Sequence, residues 1–195
     1  MKKRIAVTGG IGSGKSLVCK ILKELGQECY SCDEIYRLLW GEESYQKELL
    51  SLFPAIEKDG KADKELLAAL VFQDKNALRQ LNAFAHPKIM SRLYALMNEC
   101  ERELVFAEVP LLFEGGYEKD FDFVIVVLRD KAERILSTAQ RDCLPVQAVT
   151  KRIAAQFDYD TIERTNKGYI FIENDRSIAN LQEKVRSILT YLMKQ

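Results

Sequence analysis

The sequence has little of what marks membrane, secreted or nucleic-acid-binding proteins. Its apolar runs, such as Phe123 to Leu128, are far too short to cross a bilayer. Met1 to Arg4 lead directly into a strand-like segment, a pattern that predicts no secretory signal. Lys+Arg 29 are offset by Asp+Glu 29, so no excess of positive charge favours a polyanion. We therefore expect a cytoplasmic protein with no membrane or nucleic-acid partner.

Histidine and regularly spaced cysteine are also scarce, which argues against a metal centre built from them. The chain has a single histidine, His86, and five cysteines, an odd number. A chain of 195 residues can bury a core without disulfides, and these cysteines fit a reducing compartment. Only Cys29 and Cys32 have C-x-x-C spacing, which leaves a redox dithiol open as an alternative.

The chain alternates strand and helix patterns. Short apolar runs bounded by turn residues predict strands at 4–8, 28–31, 103–109, 122–128 and 169–173. Helical spacing predicts helices at 15–25, after Asp33 as N-cap, at 131–142, from Pro145 as first residue, and at 178–193. Residues 42–103 predict only helices, near 43–52, 63–72, 75–84 and 87–102, with no strand. Nearly continuous apolar strands are typical of a parallel sheet covered on both faces.

The strongest motif is the run from Gly9 to Ser16, which satisfies G-x-x-x-x-G-K-[ST] between a predicted strand and a predicted helix. Glycines let backbone N–H groups surround phosphate oxygens, and the helix N-terminus adds its dipole. Lys15 supplies a charge for the β- and γ-phosphates, and the Ser16 hydroxyl is suited to Mg²⁺. The sequence therefore predicts a P-loop that binds a nucleoside triphosphate.

Further motifs carry a resemblance that covers essentially the whole chain. They are VTGGIGSGKS at 7–16, DEIYRLL at 33–39, AHPKI at 85–89, EVPLLFE at 108–114 and KRIAAQ at 151–156. In this order and spacing they resemble the dephospho-CoA kinases. The resemblance implies transfer of the ATP γ-phosphoryl group to the ribose 3′-hydroxyl of dephospho-CoA, the last step of coenzyme A synthesis. ATP and Mg²⁺ are the cofactors that it implies.

The resemblance also implies a three-part organisation. The fold expected is a P-loop three-layer α/β/α fold with a parallel sheet, a helical substrate-binding insertion and a small helical lid. The expected core comprises 1–32, 103–140 and 168–195, the helical acceptor domain 33–102, and the lid 141–167. We expect a monomer or a weak homo-oligomer.

Residues for ATP and metal follow from the P-loop and from the resemblance. Lys15 and Arg141 are candidate catalytic cations, while Ser16 and, through water, Glu108 are candidate metal ligands. Arg152 shares a helical face with Gln156, opposite an apolar stripe, as a ligand-facing pair requires. The candidate ATP-binding residues are Gly9, Gly10, Ile11, Gly12, Ser13, Gly14, Lys15, Ser16, Leu17, Arg141, Arg152 and Asn174.

A second group of candidates concerns the acceptor. Asp33 is the candidate catalytic group that accepts or orients the acceptor hydroxyl proton, with a plain helix cap as the alternative. Arg37, one turn on, is a candidate for a substrate phosphate or an ordinary ion pair. His86 is either a dephospho-CoA contact or an extended residue at a helix entry before Pro87. Leu111 and Glu114 complete the substrate-binding set.

Several positions depart from the family pattern. Ser31 stands where another aspartate is common, Leu17 where threonine is common, and Glu108 where aspartate is common. Lys167-Gly168 and Arg176 also differ from the usual residues on the adenine side. Because none of these positions is Lys15 or Ser16, the predicted activity stands.

Three other functions are alternatives to this interpretation. A P-loop kinase for another nucleotide or small metabolite fits the same architecture. A GTPase-like switch is not favoured, because Asn166 to Tyr169 begin like a guanine signature but lack its final aspartate. A dithiol oxidoreductase would use Cys29 and Cys32.

Overall fold

The computed structural model describes residues 2–175 and 177–195, so the departure at Arg176 lies outside the described residues. Two compact units are formed, Met1–Ser31 with Met97–Gln195, and Cys32–Leu96. The strands are β1 (Lys3–Thr8), β2 (Glu28–Ser31), β3 (Glu57–Lys58), β4 (Lys61–Ala62), β5 (Leu104–Glu108), β6 (Phe123–Leu128) and β7 (Tyr169–Glu173). The α-helices are α1 (Lys15–Glu24), α2 (Cys32–Trp40), α3 (Glu43–Leu52), α4 (Lys64–Gln73), α5 (Lys75–Glu99), α6 (Lys131–Asp142), α7 (Val146–Ala154) and α8 (Ile178–Leu192).

The larger unit is built on a five-stranded parallel sheet in the order β2-β5-β1-β6-β7. Every residue of β5 is buried, as expected for an inner strand of a parallel sheet. α1 packs against α8, and the apolar sides of both helices form one core with the sheet. Fully buried side chains in this core, such as Leu22 and Leu181, each contribute about 1.5–3 kcal/mol. The expected α/β fold, a parallel sheet flanked by helices, is confirmed.

The carboxyl ends of the parallel strands lie along one edge of this sheet. In the register, Val7 and Ser31 are both opposite Glu108, the last residue of β5. On the other side of β1, Thr8 is opposite Val126 of β6. The loops that follow β1, β5, β6 and β7 therefore begin at neighbouring points, where ligands of such folds usually bind.

The smaller unit is helical. It comprises α2, α3, α4, the hairpin of β3 and β4, and α5 up to Leu96. The Tyr45 ring lies 6.4 Å from that of Tyr36 and 5.0 Å from that of Phe84, measured between centroids. Its buried apolar side chains include Ile35, Leu39, Tyr45, Leu49, Ile56, Leu67, Met90 and Leu93. Within the described residues of either unit, no helix has the length and apolar character of a membrane span.

The expectation that residues 42–103 carry no strand is wrong, because β3 and β4 form an antiparallel hairpin with Lys58 opposite Lys61. Asp59 and Gly60 connect the two strands with φ values of 52° and 78°. Two consecutive positive φ angles give a turn whose twist matches that of a hairpin, and Asp-Gly is a favoured sequence for it. The turn therefore forms a hairpin from strands that are too short to show a periodic pattern.

The predicted break between helices 75–84 and 87–102 is also wrong, since α5 continues through Pro87. A proline inside a helix removes one hydrogen bond and costs about 3 kcal/mol. Tertiary packing offsets this cost, because buried residues lie on both sides of the proline. These residues are Ala85, Met90 and Leu93. His86 is consequently a half-buried residue inside a helix and not an extended residue at a helix entry.

Two predicted helix starts need correction. α2 begins at Cys32 directly after β2, so Asp33 lies in the first turn and is not the N-cap. A carboxylate in the first turn still interacts favourably with the helix dipole. Pro145 is the N-cap residue of α7, and Val146 is the first helical residue. The predicted strands in the larger unit agree with the structure to within one residue at each end.

Candidate active site

The P-loop, residues 9–14, connects the end of β1 to the start of α1. Gly12 and Gly14 have φ values of 76° and 101°, in the left-handed region that favours glycine. A Cβ atom on Gly12 would also lie 2.6 Å from Thr138 Oγ1, too close for any side chain. Gly14 is the N-cap residue of α1 and has no side chain to cap the first turn. The loop therefore brings the helix N-terminus and successive backbone N–H groups to the sheet edge, an arrangement suited to phosphate.

Lys15 lies at the start of α1 and is half buried. Its Nζ atom donates hydrogen bonds to the backbone oxygens of Gly9 at 2.8 Å and Gly10 at 3.1 Å. These bonds hold the ammonium group across the P-loop. An anion in the loop would meet this positive charge directly.

Ser16 and Glu108 are brought together by α1 and β5. Ser16 Oγ donates a 2.8 Å hydrogen bond to Glu108 Oε1, and Glu108 is only 7% exposed. A hydroxyl and a carboxylate are oxygen ligands of the kind that Mg²⁺ prefers. The described residues contain no group of three or more His, Cys, Asp or Glu suited to a metal ion. A magnesium ion here would therefore need phosphate oxygens and water as its other ligands.

Side chains from distant segments hold the backbone of the P-loop. Arg134 Nε donates to the Ile11 backbone oxygen at 2.8 Å, and Gln156 Oε1 accepts from the Ile11 N–H at 2.7 Å. Asn174 Nδ2 donates to the Ser13 backbone oxygen at 2.9 Å. Three segments that follow β6 and β7 therefore fix the loop from outside.

Arg134 is a residue that the sequence patterns did not single out. Burial lowers the pKa of its guanidinium, and the charge of Asp160 opposes that change. It lies on α6 one turn before Thr138. Gly10 lies close to the Arg134 guanidinium, and Gly12 lies close to the Arg134 backbone and to Thr138 Oγ1. The sequence offered one signal for Arg134: it is a cation one turn into α6, the helix that follows β6, and β6 pairs with β1.

Tyr159 is a second residue that the sequence did not single out. Its hydroxyl donates to the Pro110 backbone oxygen at 3.1 Å and shares a 3.2 Å hydrogen bond with Thr8 Oγ1. Burial raises the pKa of Tyr159 to about 12, against the opposing effect of the Thr8 hydrogen bond. Tyr159 therefore connects the segment after α7 to the ends of two strands.

Arg141 and Arg152, the two candidate lid cations, are both associated with Asp142. Arg141 donates to Asp142 from Nε at 2.7 Å and from Nη2 at 3.1 Å. This bidentate contact raises the pKa of Arg141 and lowers that of Asp142, and Arg152 lowers the pKa of Asp142 further. The structure thus places Arg141 and Asp142 of α6 close to Arg152 of α7.

The segment after β5 contacts the segment after α7. Glu114 Oε1 accepts a 3.2 Å hydrogen bond from the Phe157 N–H, and the Phe113 ring stacks on that of Phe157 at 5.0 Å. Leu111 is exposed. Gln156, which the helical spacing placed beside Arg152, lies just beyond the end of α7. Residues 156 and 157 thus bond to two different loops at the sheet edge.

Asp33, Arg37 and His86 lie in the helical unit. Asp33 and Arg37 are exposed and one turn apart on α2, while His86 is half buried in α5. Their roles toward an acceptor remain predictions. Cys29 and Cys32 are buried and form no disulfide; they lie in β2 and at the start of α2 respectively.

The chain is similar to known kinases over nearly its whole length. The family model described as dephospho-CoA kinase matches residues 3–180. A dephospho-CoA kinase from Fusobacterium nucleatum is 34% identical over 183 residues, 93% of this chain and 94% of the relative. One from Thermus thermophilus is 32% identical over 188 residues, 96% of this chain and 91% of the relative.

Solved structures of kinases are also similar to this chain. The dephospho-CoA kinase from Campylobacter jejuni has a TM-score of 0.72 and 30% identity, with 100% of this chain and 98% of that one covered. A shikimate kinase from Acinetobacter baumannii, solved with shikimate, has a TM-score of 0.57 and 14% identity, with 100% and 94% covered. The second likeness shows the fold alone.

Proposed function

The chain belongs to the dephospho-CoA kinase family, and we propose that its P-loop and strand-end residues carry out the reaction of that family. This reaction transfers the γ-phosphoryl group of ATP to the ribose 3′-hydroxyl of dephospho-CoA, the last step of coenzyme A synthesis. The observation that carries the proposal is the P-loop joined to a buried carboxylate through Ser16 and Glu108, in a chain that matches the family along its length. The chain is an ATP-dependent phosphotransferase.

We assign the ATP phosphates to residues 9–17. Backbone N–H groups of the loop and of the first turn of α1 would donate to phosphate oxygens. Lys15, now bonded to Gly9 and Gly10 oxygens, would turn to the β- and γ-phosphates. Its charge would stabilise the oxygens of the transferred group as negative charge spreads over them. Asn174 would act by holding the Ser13 carbonyl.

Mg²⁺ fits the oxygen pair formed by Ser16 and Glu108. Ser16 Oγ would bind the ion directly and Glu108 would hold one of its waters, consistent with their 2.8 Å hydrogen bond. When bound, the ion would supply positive charge that stabilises the phosphate oxygens. The buried position of Glu108 excludes bulk water from one side of this pair.

We propose that the helical unit contributes the groups that act on the acceptor. Asp33 would accept or orient the proton of the attacking 3′-hydroxyl, and Arg37 would bind a phosphate of dephospho-CoA. His86 would contact the same molecule. From the larger unit, Leu111 would offer apolar surface and Glu114 a hydrogen-bond acceptor to it.

Residues 141–167 would serve as the lid, with 1–32, 103–140 and 168–195 as core and 33–102 as acceptor domain. Arg141 and Arg152 would leave Asp142 or share it while they approach the phosphates. Closure would exclude water from the transferring group and so limit hydrolysis of ATP. We further propose that the protein works in the cytoplasm as a monomer or weak homo-oligomer.

Acceptor-dependent release of ADP tests this function. Purified protein with ATP and Mg²⁺ is given dephospho-CoA, AMP, shikimate or gluconate in turn. We expect rapid ADP release with dephospho-CoA and release near background with the others. Equal or greater stimulation by another acceptor would overturn the acceptor assignment while leaving the P-loop kinase intact.

A further inference from the structure

Ile11 is bonded through both of its backbone polar groups to side chains that are far away in sequence. Its oxygen accepts from Arg134 Nε at 2.8 Å, and its N–H donates to Gln156 Oε1 at 2.7 Å. The two partners lie 123 and 145 residues along the chain from Ile11. One belongs to α6 and the other to the turn after α7. The tip of the P-loop is therefore held from both sides.

From this geometry we propose that Arg134 and Gln156 are positioning residues for ATP, which fix the peptide groups on either side of Ile11. The inference rests on the proposed function, because it assumes that the P-loop binds the ATP phosphates. It adds two residues whose hydrogen bonds to Ile11 go to the backbone of the loop. Both act through the backbone of the loop.

The position of Ile11 explains why the loop needs such support. Gly10 precedes it and Gly12 follows it, so the peptide groups around Ile11 are flanked by glycine, the residue type with the greatest backbone freedom. If the N–H groups of the loop sample many orientations, phosphate binding must restrict them to one. The conformational entropy lost in this step lowers the affinity for phosphate. Side-chain hydrogen bonds to Ile11 order the loop in advance.

The surroundings of both side chains suit a fixed support. Arg134 is half buried, with the charges of Asp158 and Asp160 close enough to favour its cation. Gln156 is followed by Phe157, whose N–H donates to Glu114 and whose ring stacks on Phe113. The turn that carries Gln156 is therefore itself held in place. The P-loop tip is linked through it to the segment after β5.

Two substitutions of Arg134 separate its hydrogen bond from its charge. In Arg134→Gln, the side-chain amide nitrogen is as many bonds from Cα as the Nε atom of arginine, so a donor to the Ile11 oxygen remains while the charge is lost. In Arg134→Met, both are lost. For the second residue, Gln156→Met removes the acceptor for the Ile11 N–H. Matched controls are Arg186→Gln on α8 and Gln147→Met on α7, both at exposed positions.

The measurement is the Kd for ATP with Mg²⁺ by titration calorimetry, without acceptor, alongside the Kd for dephospho-CoA and the melting temperature. We expect Arg134→Met and Gln156→Met each to weaken ATP binding about tenfold, which is about 1.4 kcal/mol, with the acceptor Kd unchanged. Arg134→Gln should stay within about threefold of wild type, as should both controls. Under turnover, KM for ATP should rise while kcat at saturating ATP changes little.

The double variant Arg134→Met with Gln156→Met adds a second check. Because the two residues hold the adjacent peptide groups on either side of Ile11, removal of one makes the other less effective, so the combined loss should be smaller than the product of the single losses. ATP binding as tight as wild type in both single variants would overturn the proposal. So would an equal loss in Arg134→Gln and Arg134→Met, which would assign the effect to charge. Since ATP binding is read without acceptor, absence of dephospho-CoA phosphorylation would count against the proposed function alone.

Discussion

Ser16 Oγ lies 2.8 Å from Glu108 Oε1, and this hydrogen bond joins the first turn of α1 to the last residue of β5. The pair places a hydroxyl and a buried carboxylate at the sheet edge from which the P-loop also leaves β1. Both are oxygen ligands of the kind that a divalent cation bound with the phosphates would need.

Glu108→Gln should weaken the use of Mg²⁺. Glutamine still accepts the hydrogen bond from Ser16 but has no negative charge to hold a water on the ion. Loss of such a supporting group typically costs about 10–100-fold in metal affinity or activity. Initial rates across a Mg²⁺ titration should show a higher half-saturating concentration, with partial recovery at high Mg²⁺. An unchanged titration curve would remove Glu108 from the metal site.

Lys15→Ala should reduce turnover strongly, because it removes the cation that the P-loop holds through Gly9 and Gly10. Loss of a group that stabilises transition-state charge typically lowers kcat about 10²–10³-fold. Steady-state kinetics of ADP release measure this effect. Lys20→Ala, at an exposed lysine of the same helix, is the matched control and should retain wild-type kinetics. Full turnover by Lys15→Ala would contradict the assignment.

Asp33→Asn should lower turnover while leaving ATP binding intact. A positioned acid or base contributes about 10²–10⁴-fold to a rate, and asparagine cannot accept the hydroxyl proton. The kcat with dephospho-CoA and the Kd for ATP are the two quantities to compare. Glu34→Gln in the same helical turn serves as the control. A near-normal rate in Asp33→Asn would leave Asp33 with only its favourable position in the first turn of α2.

Tyr159→Phe should lower stability and change its dependence on alkaline pH. The variant loses the hydrogen bonds to Pro110 and Thr8, a loss of about 1–3 kcal/mol for a buried hydroxyl. Burial raises the pKa of Tyr159 from 10.0 to about 12, so the folded state favours the protonated phenol. That stabilisation is fully present below pH 10 and is lost as the pH rises to about 12.

Urea unfolding between pH 8 and pH 11 measures this difference. The free energy of unfolding of the wild type should fall more steeply above pH 10 than that of Tyr159→Phe, so the two curves converge. Parallel curves would show that Tyr159 does not contribute to the alkaline loss of stability.

Elements with strong local signals were predicted from sequence. β7 was predicted at its observed bounds, Tyr169–Glu173, because an apolar run is bounded by turn residues. The hairpin of β3 and β4 was missed because two-residue strands show no alternation of apolar and polar residues. The single helix α5 was predicted as two helices, because Pro87 is a local break signal and the packing that overrides it cannot be read from the sequence.

The candidate site was predictable where its residues are adjacent in sequence. The P-loop is such a motif, with a known mechanism for each position. Arg134 was not predictable, because its partner is a backbone oxygen 123 residues away and no spacing rule connects the two. Tyr159 likewise contacts Thr8 and Pro110 only in the folded chain.

Identification of the phosphorylated product tests the central claim most directly. The protein is incubated with ATP carrying a labelled γ-phosphate, Mg²⁺ and dephospho-CoA, and the product is identified by mass and by the position of its new phosphate. We expect one labelled phosphate on the ribose 3′-hydroxyl, which makes the product coenzyme A, and about 10²–10³-fold slower formation of that product with Lys15→Ala. Labelled inorganic phosphate without a phosphorylated acceptor, from folded protein that binds ATP, would contradict the assignment.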